Sequence, residues 1–291
     1  MKTPKRLQPL VDDGLIDEVL TQLMSGKEAQ VFVVRCGDDV RCAKVFKEAK
    51  QRSFKQAVQY QEGRKERNSR RARAMSKKTR YGQKEQEQAW LTAEVDALYR
   101  LAAADVRVPK PYGFVDGVLL MEMITDAQGA VAPRLDDVTL THEQALRYHD
   151  KVITDVVRML CAGLIHGDLS EFNVLVDAEG PVIIDLPQAV DAAGNNSAAA
   201  MLERDVDNMR AYFGRYAPEL LNTHYAKEMW ALYEAGELHP DSKLTGHFTF
   251  STHIANVDEL MEVIDDAKEE EAERQARMRD DDDSDEIPQP Y

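Results

Sequence analysis

A two-lobed α+β fold is predicted for this chain, because strand patterns dominate its first part and helix patterns dominate its second. Short apolar runs bounded by turn residues fill the first part, whereas apolar residues at helical spacing fill the second. The 291 residues suffice for one large or two small domains. We expect a first lobe at 12–123, a helical second lobe at 124–265 and an acidic, disordered tail at 266–291.

The first lobe is expected to open with a helix and to continue as a sheet. Apolar residues at 15–24 have helical spacing, and Ser25-Gly26 provides a helix stop. Strand-like runs at 29–34 and 40–46 follow, and Gly37-Asp38-Asp39 between them predicts a hairpin turn. A further helix and two strands complete the lobe, at 86–102, 112–115 and 118–123.

The second lobe is expected to be built on a long amphipathic helix at 142–162, which opens after Thr141. A polar segment at 166–173 interrupts the helical pattern, and short strands at 174–176 and 182–184 follow it. Helical segments are predicted at roughly 199–235, with a helix start at Pro218, and at 254–279.

The composition predicts a soluble protein of the cytoplasm. No apolar run is long enough to cross a bilayer, so no membrane association is expected. The basic N-terminus has no apolar stretch behind it, which argues against a secretory signal. Cys36, Cys42 and Cys161 form no CxxC pair, which favours reduced thiols over a disulfide framework or a zinc site.

Charge is unevenly distributed along the chain, although the net charge is −15. A basic insertion at 48–84 carries a dense group of Lys and Arg at 64–80, and acidic residues concentrate in the tail. Such a group could neutralise phosphates of a nucleic-acid backbone. Two interpretations stay open: the segment binds RNA or a ribosomal particle, or it is a solvated loop that docks on the acidic body or tail.

The segment that most clearly indicates a catalytic function is the octapeptide His166-Gly167-Asp168-Leu169-Ser170-Glu171-Phe172-Asn173. An Asp followed five residues later by an Asn is the spacing of a kinase catalytic loop. In that loop the Asp accepts the proton of the attacking hydroxyl, and the Asn amide oxygen holds magnesium. Asp185, at the end of a predicted strand, supplies a second metal-binding carboxylate. The alternative to a catalytic role is that this octapeptide is only a polar turn between a helix and a hairpin.

The flanking residues favour the kinase interpretation, because they occur in kinase order. Lys44 lies in a strand similar to the one whose lysine reaches the α- and β-phosphates of ATP. Glu94 lies on the helix where kinases place the partner of that lysine. The turn between the first two predicted elements has a glycine and backbone amides that could cover phosphates, and its candidate residues are Ser25 and Lys27.

These motifs together resemble the RIO family of atypical serine/threonine protein kinases. Ser25-Gly26-Lys27-Glu28-Ala29 replaces a multi-glycine loop, and the octapeptide matches the catalytic loop of the family. Over roughly residues 12–235, the chain is similar to the branch without an N-terminal winged helix. The resemblance implies a bilobal kinase-like fold that lacks a standard activation segment. It also implies ATP and Mg²⁺, with Mn²⁺ as an alternative metal.

The resemblance further implies roles for individual residues. Asp168 would be the catalytic base, and Asp185 would form a phospho-aspartyl intermediate during ATP hydrolysis or Ser autophosphorylation. Lys44 would contact the phosphates, and Asp205 would brace the catalytic loop. Asn173 and Asp185 would hold the metal, and the backbone of Glu122 and Ile124 would contact adenine. The family's association with small ribosomal subunit maturation implies RNA or ribosomal particles as partners.

Two other functions stay open at this point. A small-molecule phosphotransferase of the aminoglycoside or choline type shares the HGDxxxxN pattern, but usually carries His where Ser170 stands. A nucleotide-binding scaffold without catalysis is disfavoured, because every chemical residue is present. Asp185 is followed by Leu186-Pro187-Gln188, which is neither D-F-G nor the commoner continuation in the RIO family. The protein substrate is not specified by the sequence.

Overall fold

The computed structural model describes residues 2–26, 29–47 and 80–248, without the side chains of 80–91. The basic insertion lies outside the described residues except for its C-terminal end, which begins a helix. Lys27, the acidic tail and the helix predicted at 254–279 also lie outside them. The bounds of the two lobes therefore stay a prediction.

A five-stranded antiparallel sheet forms the first part of the fold. Its order is β1-β2-β3-β5-β4, and its strands are β1 (Glu18–Ser25), β2 (Ala29–Cys36), β3 (Asp39–Phe46), β4 (Pro111–Val115) and β5 (Val118–Glu122). The predicted β2–β3 hairpin is confirmed. Gly37 turns it with a φ of 62°, a conformation that glycine adopts at little cost, and the Gly37 N–H donates to Asp17 at 2.6 Å.

The helix predicted at 15–24 is wrong, because most of that segment is the edge strand β1. It pairs with β2 so that Val19 lies opposite Val34, and Val19 is the buried residue of the strand. Leu23 and Met24 are exposed, so their helical spacing does not reflect a buried face. A short helix, α1 (Gln8–Asp12), lies further upstream instead. Pairing with β2 decides the conformation here, since tertiary context overrides local propensity.

The described residues form four longer helices: α2 (Arg80–Ala103), α3 (His142–Cys161), α4 (Ala198–Phe213) and α5 (Tyr225–Glu234). The start of α3 is fixed by a capping box, in which Thr141 and Gln144 exchange side-chain and backbone hydrogen bonds. The helical segments predicted at 199–235, with a helix start at Pro218, are confirmed. There α4 ends at Phe213, and Pro218 begins a short 3₁₀ helix where its missing N–H is tolerated.

Between residues 124 and 248, the strands form two small antiparallel pairs: β6 (Leu164–Ile165) with β9 (Val190–Asp191), and β7 (Val174–Val176) with β8 (Pro181–Ile183). The β7–β8 hairpin matches the predicted strands to within one residue. Asn173 immediately precedes this hairpin and Asp185 follows it two residues after Ile183. The hairpin therefore carries both predicted metal ligands at its open end.

The cores explain how the sheet and the helices are held. The largest cluster joins the α2 residues Val95, Leu98 and Leu101 to buried positions of α3 and α4 such as Val152 and Met209. Each fully buried side chain of this kind contributes about 1.5–3 kcal/mol of transfer free energy. The predicted bilobal α+β fold is confirmed. No helix in the described part of the chain is both long and apolar enough to span a membrane.

Candidate active site

Lys44 lies at the centre of the five-stranded sheet and joins two carboxylates from distant parts of the chain. In β3 it is paired with Val31 of β2 on one side and Leu119 of β5 on the other. Its Nζ is 2.5 Å from Oε1 of Glu94 on α2 and 2.9 Å from Oδ1 of Asp185. The structure therefore brings three of the predicted site residues into direct contact.

The ionisation states of this group follow from its contacts. Burial by itself would lower the pKa of Lys44, but Glu94 and Asp185 outweigh it and raise that pKa above its ordinary value. The Lys44 ammonium in turn lowers the pKa of the Asp185 carboxyl, against the opposing effect of burial. Both groups are therefore charged at neutral pH, and Asp185 is kept in the carboxylate form that binds metals or attacks phosphorus.

The catalytic-loop residues are held next to Asp185 by backbone hydrogen bonds. Asn173 Nδ2 donates to the carbonyl oxygen of Asp168 at 2.8 Å, and the Ile184 N–H donates to the Asn173 carbonyl at 2.9 Å. The Asp168 side chain is exposed, whereas His166 is buried. His166 Nδ1 accepts from the Asp168 N–H at 3.3 Å, and Nε2 lies 3.1 Å from the Ile184 carbonyl.

One face of α4 fixes the backbone on both sides of Asp168. Asp205 accepts the N–H groups of Gly167 at 2.7 Å and Leu169 at 3.0 Å, which confirms the bracing contact implied by the resemblance. Arg204 donates to the Gly167 carbonyl, and Asn208 Nδ2 donates to the Leu169 carbonyl at 2.9 Å. Burial raises the pKa of Asp205, although His166 and the two N–H groups oppose that effect.

Asp185 occupies a backbone conformation that is uncommon for a residue with a side chain. Its φ is 67°, in the left-handed region, and the following residues Leu186 and Pro187 are buried. A non-glycine residue in this region is held there by its surroundings. The departure from D-F-G is therefore accommodated by packing Leu186 and Pro187 into the protein next to the carboxylate.

The predicted adenine contacts lie at the end of β5, in the hinge segment 122–124. The Glu122 N–H donates to the Lys110 carbonyl, and the Ile124 carbonyl accepts from the Ala132 N–H at 3.0 Å. Within the described residues the Ile124 N–H has no acceptor, so it is available to a ligand. A cavity of about 570 Å³ is lined by Glu122 and Ile124 of this hinge and by Arg107.

The predicted phosphate-covering turn is described only in part. Ser25 is exposed at the end of β1, opposite Gln30, and the Gly26 N–H donates to the Ala29 carbonyl at 2.9 Å. Lys47 Nζ donates to the Gly26 carbonyl at 2.5 Å, which ties the turn to the end of β3. Lys27 lies outside the described residues, and its predicted role in nucleotide binding stays a prediction.

Sequence analysis missed three residues that support the catalytic loop: His166 as a buried hydrogen-bonding residue, Arg204 and Asn208. Arg204 and Asn208 are four residues apart, which places them on one helix face near Asp205. That spacing could have indicated that the two side chains contact the same part of the chain. The target itself, the backbone of a loop about 36–39 residues upstream, has no signature in local sequence.

The comparison with known families agrees with this geometry. A family model described as the RIO domain matches residues 30–226, which is more than half of the chain. The chain belongs to the RIO family. Its membership favours a protein-kinase relationship over the small-molecule phosphotransferase alternative.

Curated relatives carry RIO-type kinase names in archaea and eukaryotes. The chain is 33% identical over 207 residues to RIO-type serine/threonine-protein kinase Rio1 of Haloferax volcanii, covering 71% of this chain and 67% of that protein. It is 37% identical over 130 residues to Rio1 of Thermoplasma acidophilum, covering 45% of this chain and 66% of the relative. With human RIO1 it is 28% identical over 218 residues, covering 74% of this chain and 37% of the relative. The chain thus spans about two thirds of these archaeal relatives and less than half of the human one.

A solved structure supports the fold. The Rio2 kinase of Chaetomium thermophilum, crystallised as an ADP/Mg²⁺-phosphoaspartate complex, matches with a TM-score of 0.50 and 21% identity. The match covers 72% of this chain and 59% of that one. At this level of identity the likeness shows a shared kinase-like fold, which the RIO family match also indicates.

Proposed function

We propose that this chain is a RIO-type serine/threonine protein kinase and ATPase that uses ATP with Mg²⁺. The observation that carries the proposal is the Lys44–Glu94–Asp185 contact beside the catalytic loop 166–173. A lysine fixed by a helix glutamate, an exposed Asp and an Asn at kinase spacing are the parts that phosphoryl transfer needs. The names of the curated relatives support the same activity.

The first chemical step is attack of an Asp185 carboxylate oxygen on the γ-phosphorus of ATP. The new O–P bond forms an acyl phosphate while the bond to the β–γ bridging oxygen breaks, and ADP leaves with that electron pair. Lys44 supports this step in two ways, because its charge keeps Asp185 ionised and neutralises negative charge on the phosphates. A phosphoaspartate in the complex of the related Rio2 kinase supports this route.

The second step returns Asp185 to its carboxylate form. A water molecule or a Ser or Thr hydroxyl attacks the acyl phosphate at phosphorus, and Asp168 accepts the proton of that nucleophile. Water yields inorganic phosphate, whereas a hydroxyl of the chain itself yields autophosphorylation. The exposed Asp168 side chain is accessible to either nucleophile. Direct transfer from ATP to a hydroxyl uses the same base and the same phosphate contacts.

Metal binding fits the oxygen donors at the open end of the β7–β8 hairpin. The Asn173 amide and the Asp185 carboxylate offer the hard oxygen ligands that Mg²⁺ prefers, and Mn²⁺ accepts the same set. When bound there, the ion would neutralise charge on the phosphates. Asn173 Nδ2 already donates to the Asp168 carbonyl, so the amide oxygen is the atom that faces away from that bond.

Mass spectrometry of the purified full chain after brief incubation with Mg-ATP tests this function. We expect phosphate on Asp185 at early times, removable by hydroxylamine, and resistant phosphoserine or phosphothreonine later. Asp168→Asn should bind ATP but release far less inorganic phosphate, with turnover reduced by about 10²-fold or more. Phosphate that resists hydroxylamine at every time point removes the intermediate and leaves Asp185 as a metal ligand. Absence of both phosphorylation and ATP hydrolysis contradicts the enzyme assignment.

The proposed setting is the cytoplasm, with RNA or a ribosomal particle as partner through the basic residues 64–80. The charge of that segment supports binding to a phosphate backbone. The segment lies outside the described residues, so the proposal rests on sequence alone.

A further inference from the structure

Arg134 lies in the cleft between β7, which forms its floor, and the end of β1, where no sequence motif indicated a functional residue. The segment 133–134 runs antiparallel to β7: Val176 N–H donates to the Pro133 carbonyl at 2.9 Å, and Arg134 is bridged to Leu175. Residues directly opposite in an antiparallel pair project to the same face. Arg134 therefore shares a face with Leu175, which packs against the apolar cluster that contains hinge residue Ile124.

The guanidinium of Arg134 reaches across to the opposite side of the cleft. Its Nη2 lies 3.5 Å from Sδ of Met24, the residue before Ser25 at the end of β1. A thioether sulfur is only a weak hydrogen-bond acceptor. In the part of the chain that the structure describes, no carboxylate lies within ion-pair distance of Arg134. The strong donors of this arginine are thus held at the cleft without a strong acceptor.

The position of this charge relative to the catalytic groups points to the phosphate side of the cleft. Leu175, the residue opposite Arg134, is two residues after Asn173, and Met24, the residue that Arg134 contacts, directly precedes Ser25 of the predicted phosphate-covering turn. The Lys44 charge is already balanced by Glu94 and Asp185, both within 2.9 Å of its Nζ. ATP brings several negative charges to this place. Arg134 offers a planar, permanently charged donor that suits phosphate oxygens.

We propose that Arg134 is a nucleotide-binding residue whose guanidinium donates hydrogen bonds to the polyphosphate of bound ATP or ADP. The inference rests on the proposed function, since it assigns a further contact in the same ATP site. In the ligand-bound protein the guanidinium exchanges its weak Met24 contact for phosphate oxygens. It thereby links the floor strand β7, the bound phosphates and the end of β1.

Calorimetric titration of the full chain with Mg-ATP, Mg-ADP and adenosine tests this assignment. We expect Arg134→Gln to weaken Mg-ATP and Mg-ADP binding by about ten-fold, because charged hydrogen bonds to phosphate are lost. Adenosine binding should change by less than about two-fold, since adenosine has no phosphate. Arg134→Lys should recover part of the loss because it restores the charge. Arg147→Gln, which removes an exposed arginine stacked on Tyr148 of α3, is the matched control and should bind all three ligands like wild type.

The outcomes separate this inference from the proposed function. Equal losses for ATP and adenosine in Arg134→Gln would mean that Arg134 only steadies the end of β1, and the phosphate contact would be overturned. Unchanged ATP affinity in that variant overturns it as well. Thermal unfolding shows whether each variant is folded. If Arg134→Gln is not, the ligand affinities of Arg134→Lys are compared with those of wild type instead. Wild-type protein that binds none of the ligands contradicts the proposed function itself, and the inference with it.

Discussion

Asp155 is a buried carboxyl that serves the fold rather than the proposed chemistry. It is 3% exposed on α3, and its Oδ1 accepts the Arg107 N–H at 3.2 Å. Burial raises its pKa to about 6, although the Arg107 N–H and nearby cations oppose the shift. The folded protein therefore binds this proton more tightly than the unfolded chain. The associated stability is complete below the unfolded pKa of 3.8 and is lost as the pH rises through about 6.

Asp155→Asn should consequently stabilise the protein at neutral pH. An asparagine amide oxygen can still accept the Arg107 N–H, but it carries no charge that must be buried. We expect the free energy of unfolding at pH 7.5 to rise by about 1–3 kcal/mol, with the gain shrinking towards pH 4. Urea unfolding of both proteins at several pH values measures this difference. The exposed Asp150→Asn on the same helix is the control, and a pH-independent difference at Asp155 would contradict the expectation.

At the scale of elements, α4 is the support on which the catalytic loop depends. Asp205 receives two backbone N–H groups that flank Asp168, and both of its oxygens are used. A change to asparagine keeps the size of the side chain but turns one acceptor into a donor. That donor then faces an N–H group in a buried site, which is unfavourable.

Asp205→Asn is expected to lower kcat by about ten-fold or more while the KM for ATP changes little, because Asp168 is displaced and the nucleotide contacts are not. It should also destabilise the fold by about 1–3 kcal/mol. Steady-state ATP hydrolysis and urea unfolding measure the two effects. Asp207→Asn makes the same substitution two residues away, in an ion pair with Arg210 on the surface, and should leave kcat unchanged. A proportional rise of KM for ATP at Asp205 would place its role in nucleotide binding instead.

The elements differ in how well sequence predicts them. The β2–β3 hairpin and the β7–β8 hairpin were predictable, because turn residues separate short β-branched runs and both strands bury their apolar residues. β1 was not, since it is an edge strand with Val19 as its buried residue and exposed apolar residues at Leu23 and Met24. In such an edge strand the spacing of the apolar residues does not indicate which face is buried.

The residues of the candidate site also differ in how well the sequence predicts them. Asp168 and Asn173 were predictable because phosphoryl transfer fixes their spacing within one loop. Lys44 and Asp185 could be placed by their order along a kinase domain, but their 2.9 Å contact depends on the packing of the whole domain. Arg134 carries no motif, and its place in the cleft follows from a two-residue pairing with β7 that the sequence does not signal.

For the molecule as a whole, the opposed charges of the basic segment 64–80 and the acidic tail lead to a prediction about RNA. Contacts to phosphates release counterions, so affinity for RNA should fall steeply with salt and depend little on sequence. Replacing Arg70, Arg71 and Arg73 with Ala should reduce the salt slope by up to about three units if each meets one phosphate. ATP hydrolysis without RNA should be nearly unchanged. Fluorescence titration of a labelled RNA at several salt concentrations measures the slope.

The matched control instead removes three basic residues from the part of the chain that the structure describes. Lys5, Arg35 and Arg147 are exposed there, and their replacement by Ala should leave the slope close to that of wild type. Deleting the residues after Arg279 should tighten binding at low salt, because an acidic competitor within the same chain is lost. Equal RNA binding by wild type and the variant lacking Arg70, Arg71 and Arg73 would remove the nucleic-acid interpretation of the segment.

The contact between Lys44 and Asp185 also bears on how the protein is made. These residues are 141 positions apart, and the bracing residue Asp205 follows Gly167 by another 38. A ribosome adds roughly 5–20 residues per second, so Lys44 is made about 7–28 s before its partner. A chain that stalls or is cut before Asp185 therefore has the lysine strand but neither the Asp185 carboxylate nor the brace for Asp168, and one that ends between Asp185 and α4 still lacks that brace. We therefore expect phosphoryl transfer only from chains that have been translated past Asp205.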